Sequence, residues 1–345
     1  MSNRTSIVVV SYNAAPWIAR CIESALGQRG VDQVVVVDNN SVDETCAILK
    51  AEFPSVTLLS LDENVGFGRA NNIGIRHALE TGADGVFLLN QDAWLADEAV
   101  DRLASFAEQH PEYGILSPLH LNYDGSGLHR GFARYIFNCC PKFIDDLLLR
   151  TLDNDYDVAF VPAALWYLPR RTLETIGGFD PLFFIYSEDD DLIARVKHAG
   201  QKVGIVPQSH GYHDDTPAAF TTQKKKRQRL ARNLLFLKYA PGAVWKGGLR
   251  LLRESIADIA QHLVYCRFSD AWITIESVSR ALLQLRRIVQ SRRTLAKPTR
   301  FAHLDIDVSI LSSDGRKESP DPDQISSPAP QHATARPELT ERVSR

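Results

Sequence analysis

Four short apolar runs set the rhythm of the chain: Ile7–Val10, Val34–Val37, Val56–Leu61 and Val86–Leu89. Ile7–Val10, Val34–Val37 and Val86–Leu89 are unbroken and read as strands buried in a parallel sheet, while Val56–Leu61, interrupted by Thr57 and Ser60, reads as a further strand. Helical patterns fill the gaps. Pro16 opens a helix through Ala25 with Trp17, Ile18, Cys21 and Ile22 on one face, and Ser41 with Glu44 has capping-box spacing for a helix ending at Glu52. The stretch from Asn64 through Gly66, Gly68 and Arg69 starts a helix reaching Leu79, and Asp97 signals the start of another over Glu98–His110. Strand–helix alternation at this pace, without hairpin turn signals, predicts an α/β protein with a doubly wound, mostly parallel sheet.

The later chain is less regular. Residues 111–157 show no clear period and are expected to be irregular structure and short strands crossing over a crevice. Asp157–Leu168 is strand-like in part, and Arg170–Ile176 forms a helix ended by Gly177 and Gly178. Another helix follows the acidic run Glu188–Asp191 and stops at Gly200. Val203–Val206 is a strand, with Pro207, His210 and His213 beyond it. Residues 224–296 are helical, basic and amphipathic, and 297–345, rich in Pro, Ser and charge, are expected to be disordered.

Composition changes this picture little. Hydrophobic content of 44% and charged content of 23% in 345 residues are ordinary globular values. A net charge of -3 gives no pull toward nucleic acid. The five cysteines are odd in number and lack C-x-x-C spacing, which fits reduced thiols in the cytoplasm better than a disulfide framework. Neither a signal peptide nor a membrane-spanning run is expected.

Chemistry concentrates where the strands end. Ser11 and Asn13, Asp38, Asn64 and Asp92 each follow a strand and fall on one sheet edge, the place where open α/β sheets bind ligands. A carboxylate there, Asp92, is suited to hold a metal ion carrying a phosphate. The second concentration is Glu188-Asp189-Asp190-Asp191. Ser187 and Asp190 have capping spacing, but a helix start needs one or two carboxylates. Four crowd their charge and push at least one pKa upward, which is how a general base is made. His210 and His213 are candidate nitrogen ligands, suited to Mn²⁺ more than Mg²⁺. Gly66 and Gly68 do not form a dinucleotide fingerprint, because Asn71 stands where the third glycine would be. They leave a backbone turn whose N–H groups could meet a diphosphate. Lys224–Arg227 reads as a solvated basic face.

Taken in order, these segments resemble a family 2 glycosyltransferase of the inverting GT-A fold, in its rhamnosyltransferase-like branch. The match is carried by Val9-Val10-Ser11-Tyr12-Asn13, Val35–Asp43, Asn64–Asn72, Leu89-Asn90-Gln91-Asp92, Gly177–Asp180, Glu188–Leu192, His213 and Arg232–Tyr239. The resemblance implies a nucleotide-sugar half over 1–118, an acceptor and catalytic-base half over 119–222, a helical extension over 223–296 and a tail over 297–345. Asp38 would accept a pyrimidine N–H, with Ser11, Tyr12, Asn13, Asn64, Arg69, Asn71 and Asn90 also on the donor. Asp92 would bind Mg²⁺ or Mn²⁺ with His213, although Asn90 replaces the first acid of the metal motif. Asp189 would be the catalytic base, with Gly178, Asp180, Glu188 and Asp191 at the acceptor. The implied reaction moves a sugar from a nucleotide-diphosphate donor, dTDP-rhamnose or a UDP-sugar, to a hydroxyl of a saccharide or lipid-linked acceptor in bacterial surface polysaccharide synthesis. A sugar-nucleotide nucleotidyltransferase and a non-catalytic sugar-nucleotide-binding protein are the rival expectations. The helices over 224–296 would contact the inner face of the plasma membrane, pack on the catalytic domain or pair two subunits.

Overall fold

The structure is a computed structural model and describes residues 4–214, 216, 221–296 and 301–304. The first half follows the expected alternation: β1 (Thr5–Ser11), α1 (Ile18–Leu26), β2 (Val31–Asp38), α2 (Thr45–Glu52), β3 (Thr57–Ser60), α3 (Phe67–Glu80) and β4 (Gly85–Asn90). These four strands pair in parallel in the order β3-β2-β1-β4. The absence of alternation is explained by what covers each face. Val8, Val10, Val35, Val37, Val86 and Leu88 meet Ile75 and Ala78 of α3, while Ile7, Val9, Val34, Val36, Phe87 and Leu89 meet Ile18 and Ile22 of α1. Each such side chain contributes roughly 1.5–3 kcal/mol by leaving water.

Beyond β4 come β5 (Ala93–Leu95), α4 (Ala99–Gln109), β6 (Tyr113–Leu121), α5 (Arg130–Cys139), α6 (Pro141–Leu149), β7 (Tyr156–Asp157), β8 (Leu165–Pro169), α7 (Arg170–Ile176), α8 (Glu188–His198) and β9 (Lys202–His213). The sheet continues as β4-β8-β6-β9-β5 with β7 on β9. Parallel pairing extends into the second half only between β6 and β9. β8 runs antiparallel to β4 and β6, and β5 and β7 run antiparallel to β9, so the whole sheet is mixed. A run such as Leu165–Leu168 is buried on both faces whichever way it points, so its pattern carries no direction.

Several local expectations change. The 111–157 region holds the nine-residue strand β6 and two helices rather than irregular chain. Its period is faint because α5 buries only Phe132 and Ile136, and α6 only Phe143. Ser41 does not cap α2, which starts at Thr45 with Glu44 at its N-cap; Asp97 gives way to Glu98 ahead of α4. β9 runs through Pro207 to His213, and its pairing register with β6 shifts between Pro118 and Leu119, a bulge that accommodates the missing N–H.

The C-terminal helices are α9 (Thr222–Tyr239), α10 (Val244–Val264), α11 (Phe268–Leu283) and α12 (Leu285–Ala296). Leu234, Leu237, Leu251, Val278, Ala281 and Ile288 form a third apolar core with Leu182 and Phe183, so this bundle is built onto the loop ahead of α8. Its basic run is not simply a solvated face: Lys225 pairs with Asp270, Lys226 with Glu276 and Arg229 with Asp258 inside the bundle. Among the described residues no helix is long and apolar enough to cross a membrane. The expected disordered tail lies outside the described residues apart from 301–304, where the Ala302 carbonyl accepts from Gly178 N–H at 2.8 Å.

Candidate active site

The ends of β1, β2 and β4 and the loop before α3 are joined by side-chain hydrogen bonds. Ser11 Oγ donates to Asp38 Oδ1 at 2.9 Å, and Ser41 donates to the same carboxylate through its Oγ (2.5 Å) and its N–H (3.0 Å). Asn13, in the left-handed region at φ 50°, accepts the Val42 N–H and donates its own N–H to Ser41 Oγ. Tyr12 and Gln91 exchange two bonds, N–H to Oε1 at 2.7 Å and Nε2 to C=O at 3.2 Å, tying β1 to β4. Asn39 Nδ2 donates to Asn64 Oδ1, which also accepts the Gly66 N–H. Four strand ends thus form one rim.

Three expected donor residues face elsewhere. Asp38 is 2% exposed with its oxygens engaged by Ser11 and Ser41, so it organises the rim rather than offering a free acceptor to a base. Asn71 is buried and donates to the Phe67 carbonyl one turn back. Arg69 lines a cavity of about 240 Å³ between α3 and the C-terminal helices, with Phe184, Arg227 and Arg287. Asn90 ends β4 half-buried, its N–H donating to the Ala164 carbonyl.

Asp92 sits in the turn after Asn90, and the β5–β9 pairing of Ala93 with His213 brings the two side chains together. His213 Nε2 is 3.1 Å from Asp92 Oδ1, and its Nδ1 is 3.0 Å from Nε2 of His129. His129 Nδ1 in turn accepts the Phe132 N–H at the start of α5. A neutral His129 therefore carries its proton on Nε2, and the chain of donors runs His129 to His213 to Asp92. Burial would raise the Asp92 carboxyl, but the His213 imidazole outweighs it and holds the group below its ordinary range. Burial, then the charge of Arg102 on α4, lowers the His210 imidazole, and no contact ties it to this cluster among the described residues.

The donor set at Asp92 is one carboxylate and one imidazole. Gln91 is consumed by Tyr12, and among the described residues no group of three or more His, Cys, Asp or Glu side chains gathers for a metal. Two donors of this kind suit a divalent cation that completes its shell with diphosphate oxygens and water. Such an ion would take the place of the proton now shared between His213 and Asp92.

The acidic run begins α8 after two consecutive non-glycine residues in the left-handed region, Tyr186 (φ 69°) and Ser187 (φ 62°). Backbone strain of this kind, ~1–3 kcal/mol each, collects at functional sites. Burial, then the neighbouring Asp190, pushes the Asp189 carboxyl up to about 6. Glu188 is 7% exposed, its Oε2 has no partner among the described residues, and burial followed by Asp189 and Asp190 pushes it up to about 8. Asp191 and Asp180, expected at the acceptor, turn inward instead. Lys238 of α9 is fully buried between them, 2.6 Å from Asp180 Oδ2 and in direct contact with Asp191. Arg195 donates to Asp191 at 2.9 Å and to the Ile176 and Gly178 carbonyls, and Ser291 of α12 donates to Asp180. Gly178 is likewise packed, since a Cβ there would meet Asn72 Oδ1 at 2.3 Å.

Two contacts bring the halves together. Gly66 (φ 88°) lies so close to Phe184 that a Cβ would stand 2.3 Å from its carbonyl oxygen, and the Phe67 N–H donates to that oxygen at 3.0 Å. On the other side α5 spans the rim: His129 at its start meets His213, and Tyr135, six positions on, lies in the field of Asp189 and Asp190, which raise its hydroxyl after burial does. Six residues of helix rise about 9 Å. α5 thus runs from the His213–Asp92 pair toward the acidic run. Of the residues that tie this region together, His129 and Tyr135 carried no sequence signal, while Gln91, Asn72 and Lys238 lie within the segments Leu89–Asp92, Asn64–Asn72 and Arg232–Tyr239.

Polar groups at the carboxyl ends of parallel strands, a carboxylate–histidine pair among them, and an acid of raised pKa at the start of α8 are the parts of a nucleotide-dependent transferase. A family model described as glycosyl transferase family group 2 matches residues 85–283, and one described as glycosyl transferase family 2 matches residues 6–162. The chain belongs to the family 2 glycosyltransferases and transfers sugar from a nucleotide-linked donor. In particular, it is similar to N-acetylglucosaminyl-diphospho-decaprenol L-rhamnosyltransferase of Mycobacterium tuberculosis, with 27% identity over 291 residues that cover 76% of this chain and 94% of that one. The dTDP-rhamnosyl transferase RfbF of Shigella flexneri is 29% identical over 208 residues, 60% of this chain and 68% of its own. Among solved structures, S. aureus TarS 1-349 in complex with UDP aligns at a TM-score of 0.46 and 16% identity, over 71% of this chain and 68% of that one.

Proposed function

We propose that the enzyme is an inverting, rhamnosyltransferase-like glycosyltransferase that uses dTDP-rhamnose or a UDP-sugar and builds a surface glycan on a saccharide or lipid-linked acceptor. The observation that carries this is Asp189, a carboxyl pushed up to about 6 at the start of α8, together with the His213–Asp92 pair at the strand ends. Near neutral pH it is ionised yet basic enough to take a proton. The acceptor hydroxyl gives its proton to Asp189 as its oxygen attacks the anomeric carbon. The bond from that carbon to the diphosphate oxygen breaks, and the nucleoside diphosphate leaves with the electron pair. A single displacement inverts the configuration.

The loops of Ser11–Asn13 and Asn64–Gly66 hold the nucleotide side of the donor. Asp92 and His213 would hold Mg²⁺ or Mn²⁺, which supplies positive charge to the departing diphosphate. Glu188, neutral below about pH 8, is a hydrogen-bond donor beside the base rather than a second base. The rhamnosyl names of the relatives favour dTDP-rhamnose, and the decaprenol-linked acceptor of the mycobacterial relative favours a lipid carrier at the cytoplasmic face of the plasma membrane. Asp189→Asn tests the assignment. Transfer should fall about 10²–10⁴-fold while dTDP and UDP bind as in the wild type; a fully active variant removes Asp189 from the reaction.

A further inference from the structure

The cavity that takes Arg69 away from the donor rim has an unusual lining. Arg69 of α3, Arg227 of α9 and Arg287 of α12 converge on it, and no acidic residue lines it. Arg69 has no hydrogen bond or ion pair among the described residues. Arg227 lies 5.6 Å from the centre of the Phe184 ring. Arg287 is held in place by donating to the Pro181 carbonyl at 2.7 Å and to Gln284. Three guanidinium groups around one space repel each other, and the start of α3 adds a helix dipole of the same sign. Cations converging without a counter-charge define an anion site, and guanidinium forks match phosphate oxygens. The volume of about 240 Å³ equals several waters at ~30 Å³ each, room for a diphosphate.

Apart from Gln284 the rest of the wall is apolar, with Val65, Phe184, Ile185, Leu230 and Leu234 among its residues. A nucleoside would want hydrogen-bonding partners there, whereas an isoprenyl chain wants such a surface. The cavity's loop also leads directly to the base: Ile185 lines it, and Tyr186, in the fields of both Arg227 and Glu188, and Ser187 follow before α8 starts. The bundle supplying Arg227 and Arg287 carries exposed apolar side chains outward on α10 and α11, among them Trp245, Leu249, Ile256, Phe268 and Trp272.

We infer that this cavity holds the diphosphate of a polyisoprenyl-diphosphate-linked acceptor, placing the acceptor's first sugar toward Asp189. The inference rests on the acceptor side of the proposed reaction and names its class and anchoring point. Diphosphate also belongs to the nucleotide donor, so the test separates the two sources. The full-length protein is titrated calorimetrically with farnesyl diphosphate, farnesol, inorganic diphosphate, dTDP and UDP, as wild type and as Arg227→Gln, Arg287→Gln and Arg227→Lys. Farnesyl diphosphate should bind more tightly than farnesol or inorganic diphosphate. Each glutamine variant should weaken it about tenfold or more, and the lysine variant less, with dTDP and UDP affinities unchanged. Absence of farnesyl diphosphate binding, equal affinity for farnesol or for inorganic diphosphate, or a parallel loss of nucleotide affinity in the variants overturns the assignment. Unchanged KM for a lipid-linked acceptor in Arg227→Gln also overturns it, while leaving Asp189 and sugar transfer as proposed.

Discussion

Glu188 and Asp189 are adjacent in the chain and both have raised carboxyls, yet they have different tasks. Crowding of the acidic run was expected to lift a pKa, and it does, but burial is the larger cause for both. Asp189 at about 6 must be ionised to accept a proton, so kcat/KM should fall as pH drops below about 6 and level off above it, an acid limb visible in a pH–rate profile. Glu188 holds its proton up to about pH 8 in the fold and only to about 4.5 when exposed. Between those values the folded state binds more protons than the unfolded one, so stability falls as pH rises across the window and stays reduced above it. Glu188→Gln should therefore raise Tm relative to the wild type at pH 8.5 and leave it unchanged at pH 4, in thermal unfolding followed by circular dichroism. Asp191, two positions on, shows the limit of residue patterns. Nothing in the run distinguishes the acid that turns inward to Lys238 and Arg195.

At the scale of elements, β1, β2 and β4 were legible because unbroken apolar runs suit a two-sided core. The direction of β8 was not, since a buried strand reads alike both ways, and α5 and α6 escaped because each buries too little to set a period. Lys238 belongs here as well. It is an ordinary lysine in a basic helix by sequence, and in the structure it joins α9 to the GGFD loop and to α8 through Asp180 and Asp191. Taking away one partner leaves buried charge uncompensated, at a cost of about 3–5 kcal/mol. Lys238→Met should lower the unfolding free energy from urea titration by that amount and reduce transfer, because the helix it releases carries Asp189. Unchanged stability would mean the two carboxylates are protonated or hydrated in the fold.

For the whole molecule, the C-terminal helices are part of the enzyme rather than an appendage. They share an apolar core with Leu182 and Phe183, and they hold the acidic loop through Lys238, Tyr239 and Ser291. Their outer side is another matter. Trp245, Leu249, Leu252, Ile256 and Leu263 fall on one stripe of α10 and are exposed, and Phe268, Trp272 and Ile275 repeat the pattern on α11. A stripe of this size suits peripheral contact with lipid, where a lipid-linked acceptor resides. Full-length protein should float with anionic vesicles, and Trp245→Ser combined with Ile256→Ser should not; a dimer that elutes intact and never floats would assign the stripe to a second subunit.

The sequence by itself determined the two-sided parallel core, the strand ends that carry polar groups, and the ordered motifs of the family, because each depends on residues near one another in the chain. The tertiary structure alone decided which of those groups face a ligand. Asp38, Asp180 and Asp191 read as site residues and are spent on holding loops, Arg69 leaves the donor rim for a cavity of arginines, and His129 arrives from a region without pattern. The physical reason is that a side chain's role depends on what packs against it, and for these residues the deciding neighbours come from other strands and helices, from Ser11 against Asp38 to Lys238 against Asp180 and His213 against His129.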